Sequence, residues 1–167
     1  MRPTLEEGAW LTYANSSKFS VEGGWILKVL PRSTNDWYST GSSLGTYSVG
    51  VNENGQKSGY EGNVSSYGFG MLHVKYQPSK QFTIHVWDGL FENVMNTAVV
   101  ELKTEQKLIS QNHTFYQGVM LVHQDAIRNG GNHDPKLTYM TKGGSSNTFS
   151  AQIGFKSKKI CFTCHNM

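Results

Sequence analysis

Residues 18–29 alternate two kinds of side chain along their whole length. The odd positions are Phe19, Val21, Gly23, Trp25, Leu27 and Val29; the even ones are Lys18, Ser20, Glu22, Gly24, Ile26 and Lys28. Successive side chains of a β-strand point to opposite faces, so this stretch predicts a strand with one greasy and one polar face. A run of twelve residues outlasts the usual soluble strand of about 5–6. It suits a tilted membrane strand, which needs about 9–11.

The pattern returns downstream. Phe149, Ala151, Ile153 and Phe155 alternate with polar neighbours over 148–156. Over 82–90, Phe82, Ile84, Val86 and Leu90 share a parity that Asp88 interrupts near its end. Over 97–105, Ala98, Val100 and Leu102 face away from Glu101 and Lys103. Segments 9–14, 66–76 and 114–124 read as strands of blurred period. The connections then alternate: 15–17 short, 30–65 long, 77–80 short, 91–96 intermediate, 106–113 fairly short and 125–147 long. Tight turns at one end and extended loops at the other are the signature of an up-and-down barrel. The predicted fold is therefore all-β: an antiparallel up-and-down transmembrane β-barrel segment of about seven strands. Such a segment is an incomplete barrel, because bacterial barrels have about eight strands or more. Open edges in a bilayer leave backbone groups unsatisfied, so remaining strands or other chains are expected as partners for closure.

Composition agrees without deciding. A mean hydropathy of −0.45 fits a soluble domain, and equally a barrel whose apolar residues occupy every second position. The longest aliphatic run, Val119 to Val122, is too short for a spanning helix. A net charge of +3, scattered along the chain, gives no reason to expect nucleic acid as a partner. Residues 1–7 hold no apolar h-region, so no signal peptide is expected there; under the membrane reading this points to an internal fragment. Nothing matches a nucleophile elbow, a P-loop or a metal-binding histidine spacing, so neither enzyme activity nor a cofactor or metal is expected. His73, His85, His113, His123 and His133 read as scattered polar residues.

Several stretches resemble the OprD-like outer-membrane porins, and among them the epsilonproteobacterial outer-membrane family proteins most. They are Phe19 to Trp25, then Pro31 to Tyr38, Lys75-Tyr76-Gln77-Pro78 ahead of Trp87-Asp88, and Gly130 to Pro135 with Leu137 to Met140. The resemblance covers roughly residues 9–156. It implies a barrel of about 18 strands, monomeric or homotrimeric, in the bacterial outer membrane. It further implies passive diffusion of small polar solutes such as amino acids, peptides or carboxylates.

Selectivity in such a channel comes from charges on the lumen face and on an infolded loop. Parity nominates Lys18, Glu22, Lys28, Glu101 and Lys103 for the lumen face. Loop 30–65 offers Arg32, Asp36 and Tyr38 for a constriction, and loop 125–147 offers Asp125 and Arg128. The plainer reading of each is a solvated charge that keeps one strand face wet. Trp10, Trp25, Trp37, Trp87, Tyr13 and Tyr76 are candidates for aromatic girdles against the lipid, with ordinary core packing as the alternative. Residues 1–156 form the expected partial barrel, and 157–167 a tail outside it, frameshifted or disordered. That tail carries Cys161-Phe162-Thr163-Cys164-His165, the attachment pattern of haem c. Two rival functions therefore stand beside the porin: a soluble or surface β-sandwich for binding or adhesion, and a c-type haem protein through Cys161, Cys164 and His165.

Overall fold

The computed structural model describes residues 4–16, 18–32, 34–44, 50–52, 54–107 and 113–157, and the backbone of 161–166. Its long strands are β1 (Leu5–Ser16), β2 (Phe19–Leu30), β4 (Phe69–Ser79), β5 (Phe82–Phe91), β6 (Met95–Lys107), β7 (His113–Ala126) and β8 (Ser145–Ser157). A two-residue β3 (Tyr38–Ser39), a single helical turn α1 (Thr40–Ser43) and a short β9 (Cys161–Asn166) complete the set. All nine strands lie in one sheet, in the order β1-β2-β4-β5-β6-β7-β8-β9, every neighbour antiparallel. β3 joins the edge of β2 just past the point where β4 leaves it, opposite Lys28 and Val29. The sheet is open, and among the described residues the outer edges of β1 and β9 carry no paired strand.

The register makes one face continuous. Tyr13, Val21, Val74, Val86, Val100, Leu121 and Phe149 form a single row across the sheet, each paired with the next. The neighbouring row runs Phe19, Tyr76, Ile84, Leu102, Val119 and Ala151. Among the described residues no second layer covers these side chains: Leu121 and Phe149 are each 58% exposed and Leu11 is 82% exposed. An apolar surface of this extent is incompatible with a water-facing monomer, whose apolar patches are small and scattered. It is what a lipid-facing barrel wall presents. A two-sheet core of the sandwich kind, with Trp25 and Leu27 inside it, does not exist among the described residues.

Towards the loop end the apolar band stops at a polar line. Asp88 accepts from Asn96 at 2.8 Å. His123 meets Asp125 at 2.6 Å and Asn147 at 2.7 Å. Asp88, Ala98, His123 and Asn147 share one row of the apolar-face parity, so the partnered polar groups mark the rim of the band.

The seven expected strands are present, joined by the short β3 and β9, and several of their ends differ from expectation. β4 runs through Gln77 and Pro78, where the expected 77–80 turn began, because both sit in a register irregularity between Tyr76 and Ser79 and Pro78 owes the ladder no N–H. The turn itself is at 80–81. The connection expected at 91–96 shrinks to 92–94, where Val94 N–H closes onto Phe91 O at 2.9 Å and Asn93 adopts φ 63°. The tail expected outside the barrel contains β9, whose backbone pairs with β8 from Lys156↔Cys161 to Ala151↔Asn166. Residues 1–3, the middle of the 106–113 connection (108–112) and residues 158–160 and 167 of the tail lie outside the described residues.

Three aromatic–glycine pairs hold strands at close approach. Trp10 lies over Gly24, Trp25 over Gly70, and Tyr116 over Gly154, each directly opposite in register. A Cβ at any of these glycines would run into the ring. The ring thus occupies the space a side chain would otherwise fill, which is how an aromatic compensates a weak glycine in a strand.

Candidate functional site

The second face of the sheet carries most of the strands' charged and polar side chains, with Val99, Val122 and Met120 among them. One row reads Thr12, Glu22, His73, Trp87, Val99, Val122 and Thr148; the next reads Ser20, Lys75, His85, Glu101, Met120 and Ser150. Towards the short-turn end follow Thr83, Lys103, Gly118 and Gln152. A polar groove of ≈ 450 Å³ opens there, bordered by Thr83, Lys103, Glu105, Tyr116, Gln152 and Lys156.

Within this wall the closest-knit group spans three strands. His73 Nδ1 lies 2.8 Å from Glu22 Oε1, and His73 Nε2 lies 2.9 Å from His85 Nδ1. Trp87 is parallel to both imidazoles, with centroids 4.8 Å from His73 and 5.1 Å from His85. Glu101, directly across from His85, pairs with Lys103 at 2.8 Å.

The long connections close over this polar side at one end. Tyr60 and Val64 from the β3–β4 connection pack with Phe91 and Val94 into the buried cluster of the described residues. Phe69 and Met95 lean on it, and Phe69, Phe91 and Met95 form one row of the polar-face parity. The infolded segment therefore sits on the face opposite the apolar band. The β7–β8 connection is bound to it: Ser65 N–H donates to Gly131 O at 2.9 Å, Asn132 Nδ2 to Asn63 O at 2.6 Å, and Tyr60 meets Tyr139 edge-on at 4.9 Å. Glu92, in the tight turn between β5 and β6, clamps both. One carboxylate oxygen accepts Tyr67 N–H and the other accepts from Arg128, each at 3.1 Å.

The nominated residues separate into groups. Glu22, Glu101 and Lys103 stand on the polar face in adjoining rows. Lys28 pairs with Glu7 at 3.3 Å near the loop end. Lys18 is in the short turn, its carbonyl accepting Gln77 N–H at 2.7 Å. Arg32 and Asp36 are exposed in the segment after β2, and Tyr38 is half-buried in β3. Arg128 is engaged by Glu92. Asp125, expected in a loop facing the constriction, is instead inside β7 on the apolar-face parity, paired with His123, because β7 runs to Ala126. Of the girdle candidates, Tyr13 and Tyr76 are on the apolar face and exposed; Trp25 shares that face by parity but is half-buried, its Nε1 donating to Tyr67 O at 3.4 Å. Trp10 and Trp87 are on the polar face, a correction that the register imposes. Exposed Trp37 precedes β3. The side chains of Cys161, Cys164 and His165 lie outside the described residues.

His73, His85, Trp87, Lys75 and Glu92 were not among the nominated site residues. Parity alone puts His85 on the polar face; His73 lies in a stretch of blurred period, and only the register brings the two together.

Neither a family model nor a curated protein matches the chain. Solved structures do. The outer membrane protein opdK from Pseudomonas aeruginosa superposes with a TM-score of 0.71 at 15% identity, covering 98% of this chain and 37% of its own. A structure of the same protein with vanillate matches at 0.65 and 13% identity over 93% and 34%. Acinetobacter baumannii OccAB2 matches at 0.67 and 14% over 99% and 36%. These are outer-membrane porins of the OprD/Occ type, and the chain has the fold of a section of their barrel. It spans about a third of the length of the solved structures it matches.

Proposed function

We propose that this chain forms part of the wall of an outer-membrane porin-type channel for passive, non-enzymatic diffusion of small polar solutes. The supporting observation is the two-sided sheet: an exposed apolar band on one face, and on the other a polar wall over which the long connections fold. On this reading the apolar band meets outer-membrane lipid and the polar face lines the lumen. Glu22, Lys75, Glu101 and Lys103 then act on passing charge directly, and Arg32, Asp36 and Tyr38 from the connection beside it. Arg128 shapes the lumen by holding that connection in place. The free edges of β1 and β9 are covered by further β-strands, from the same polypeptide or from other chains, since unsatisfied backbone in a bilayer costs several kcal/mol per group. A homotrimer is one assembly consistent with this. Amino acids, small peptides and carboxylates are the solute classes to try first. The resemblance of Phe19 to Trp25 and Pro31 to Tyr38 to porins supports this choice, as does vanillate in one of the similar structures. The finer kinship with epsilonproteobacterial proteins rests on those same residues.

The test is reconstitution into lipid vesicles followed by swelling in each solute class. Uptake of solutes below a size limit is the expected result. A chain that stays monomeric and water-soluble without detergent, and melts cooperatively, would refute the channel reading.

A further inference from the structure

The Glu22–His73–His85 array fixes its own protons. A carboxylate can only accept, so His73 Nδ1, 2.8 Å from Glu22 Oε1, carries the hydrogen. In neutral His73 the other nitrogen, Nε2, is then an acceptor. It faces His85 Nδ1 at 2.9 Å, so that nitrogen must donate, and His85 Nε2 is left with a free lone pair. One carboxylate thereby sets the tautomer of two imidazoles on two strands, as the partner of one ring nitrogen decides the state of the other.

The rings are held in place. The His73 and His85 planes differ by 11° with centroids 5.2 Å apart, which puts them edge to edge in nearly one plane, as an N–H···N bond requires. Trp87 is parallel to both at 4.8 and 5.1 Å, too near for a third coplanar ring, so it covers one face of the pair. His73 is largely shielded, its side chain 14% exposed.

We propose that His85 is a specificity-determining residue of this wall, switching the wall towards anions when its Nε2 takes up a proton; this rests on the channel reading above. Protonated His85 still donates from Nδ1 to His73, so no hydrogen bond of the array is lost. A second proton, on His73 Nε2, would set two N–H groups against each other. The array therefore accepts one charge without rearranging. The charged groups facing it are Glu22 from β2, Lys75 from β4, and Glu101 and Lys103 from β6. Glu101 and Lys103 pair with each other at 2.8 Å. In the same rows β1 brings Thr12 and β7 brings Met120, which carry no charge. His85 Nε2 is thus the point at which a proton enters the array, one strand away from Lys75.

Two measurements test this. Nitrogen-15 imidazole spectra of the labelled chain in detergent micelles, taken across the histidine range of roughly pH 5–8, read tautomers and protonation directly. Expected at the basic end is the Nδ1–H form for both His73 and His85, with the first added proton appearing on His85 Nε2. In Glu22→Ala the preference should relax. An Nε2–H tautomer at either residue at the basic end overturns the proposal. In planar bilayers the cation-to-anion permeability ratio should fall about twofold from pH 8 to pH 5, the scale of one nearby unit charge in a high-dielectric space. That fall should vanish in His85→Asn, and its persistence overturns the switch. An intact array in a chain that never conducts counts instead against the channel reading, and with it against any selectivity role.

Discussion

At the scale of single residues, the tightest constraints are steric. Tyr116 rests on Gly154 so closely that a Cβ there meets the ring. Gly154→Val is therefore expected to destabilise the folded sheet by about 1–3 kcal/mol, the usual range for overpacking. Tyr116→Ala alone should cost less, and the double variant should recover most of the loss, because the two positions share one space. Urea titration of the chain folded into lipid vesicles measures all three. Additive losses in the double variant would show that the ring is not what excludes the side chain. The alternation that made β2 and β8 legible says nothing about this pair, since an aromatic–glycine contact depends on which residues the register sets opposite each other.

The elements carry the two-faced character. Leu121 and Met120 are adjacent in β7 yet point to opposite faces. Leu121 sits in the apolar row between Val100 and Phe149; Met120 sits between Glu101 and Ser150. Leu121→Arg should cost about 2–4 kcal/mol in a bilayer, the penalty for a cation on a lipid-facing strand. Met120→Arg should be close to neutral beside Glu101. Vesicle folding by urea titration reads both, and equal penalties would contradict the assignment of faces. Strand existence and face were legible in sequence for β2, β5, β6 and β8, because a strict period of two survives any choice of partner. Strand ends were not. Pro78 reads as a turn signal, yet the chain absorbs it inside β4 at a position where no ladder hydrogen bond is required.

For the whole molecule, the two faces are told apart by the loops. The cluster of Tyr60, Val64, Phe91 and Val94 sits on the polar side, and Glu92 ties both long connections to the β5–β6 turn. Glu92 is mostly shielded and Arg128 mostly exposed, with side chains 19% and 68% accessible. The ion pair itself is therefore worth little, and the acceptor for Tyr67 N–H is worth about 1 kcal/mol. Glu92→Gln keeps that acceptor and should leave the loops nearly as protected as before. Glu92→Ala should loosen both connections while the sheet holds. Limited proteolysis in vesicles distinguishes these: faster cleavage within 50–68 and 127–144, with the strands intact, is expected only for the alanine variant. Equal behaviour of the two variants would remove Glu92 from its clamping role.

The residue order by itself determined that the chain is a series of two-faced strands joined by turns and long connections. Side-chain parity is a local property, and every strand repeats it. What only the tertiary structure decided is the register. A plain two-residue turn at 80–81, continuing the pairing of Ser79 with Phe82, would set His73 opposite Asp88 and His85 opposite Tyr76. The irregularity at Pro78 slips the pairing by one, so that His73 meets Trp87, His85 joins the row of Lys75, and Leu72 stays with the apolar parity. The irregularity at Gln77-Pro78 thus brings His85 to the His73 that the β2–β4 register already sets against Glu22. The reason is physical: a one-residue shift moves every side chain of a strand to the other face, and burial of the right faces across several strands at once selects the shift.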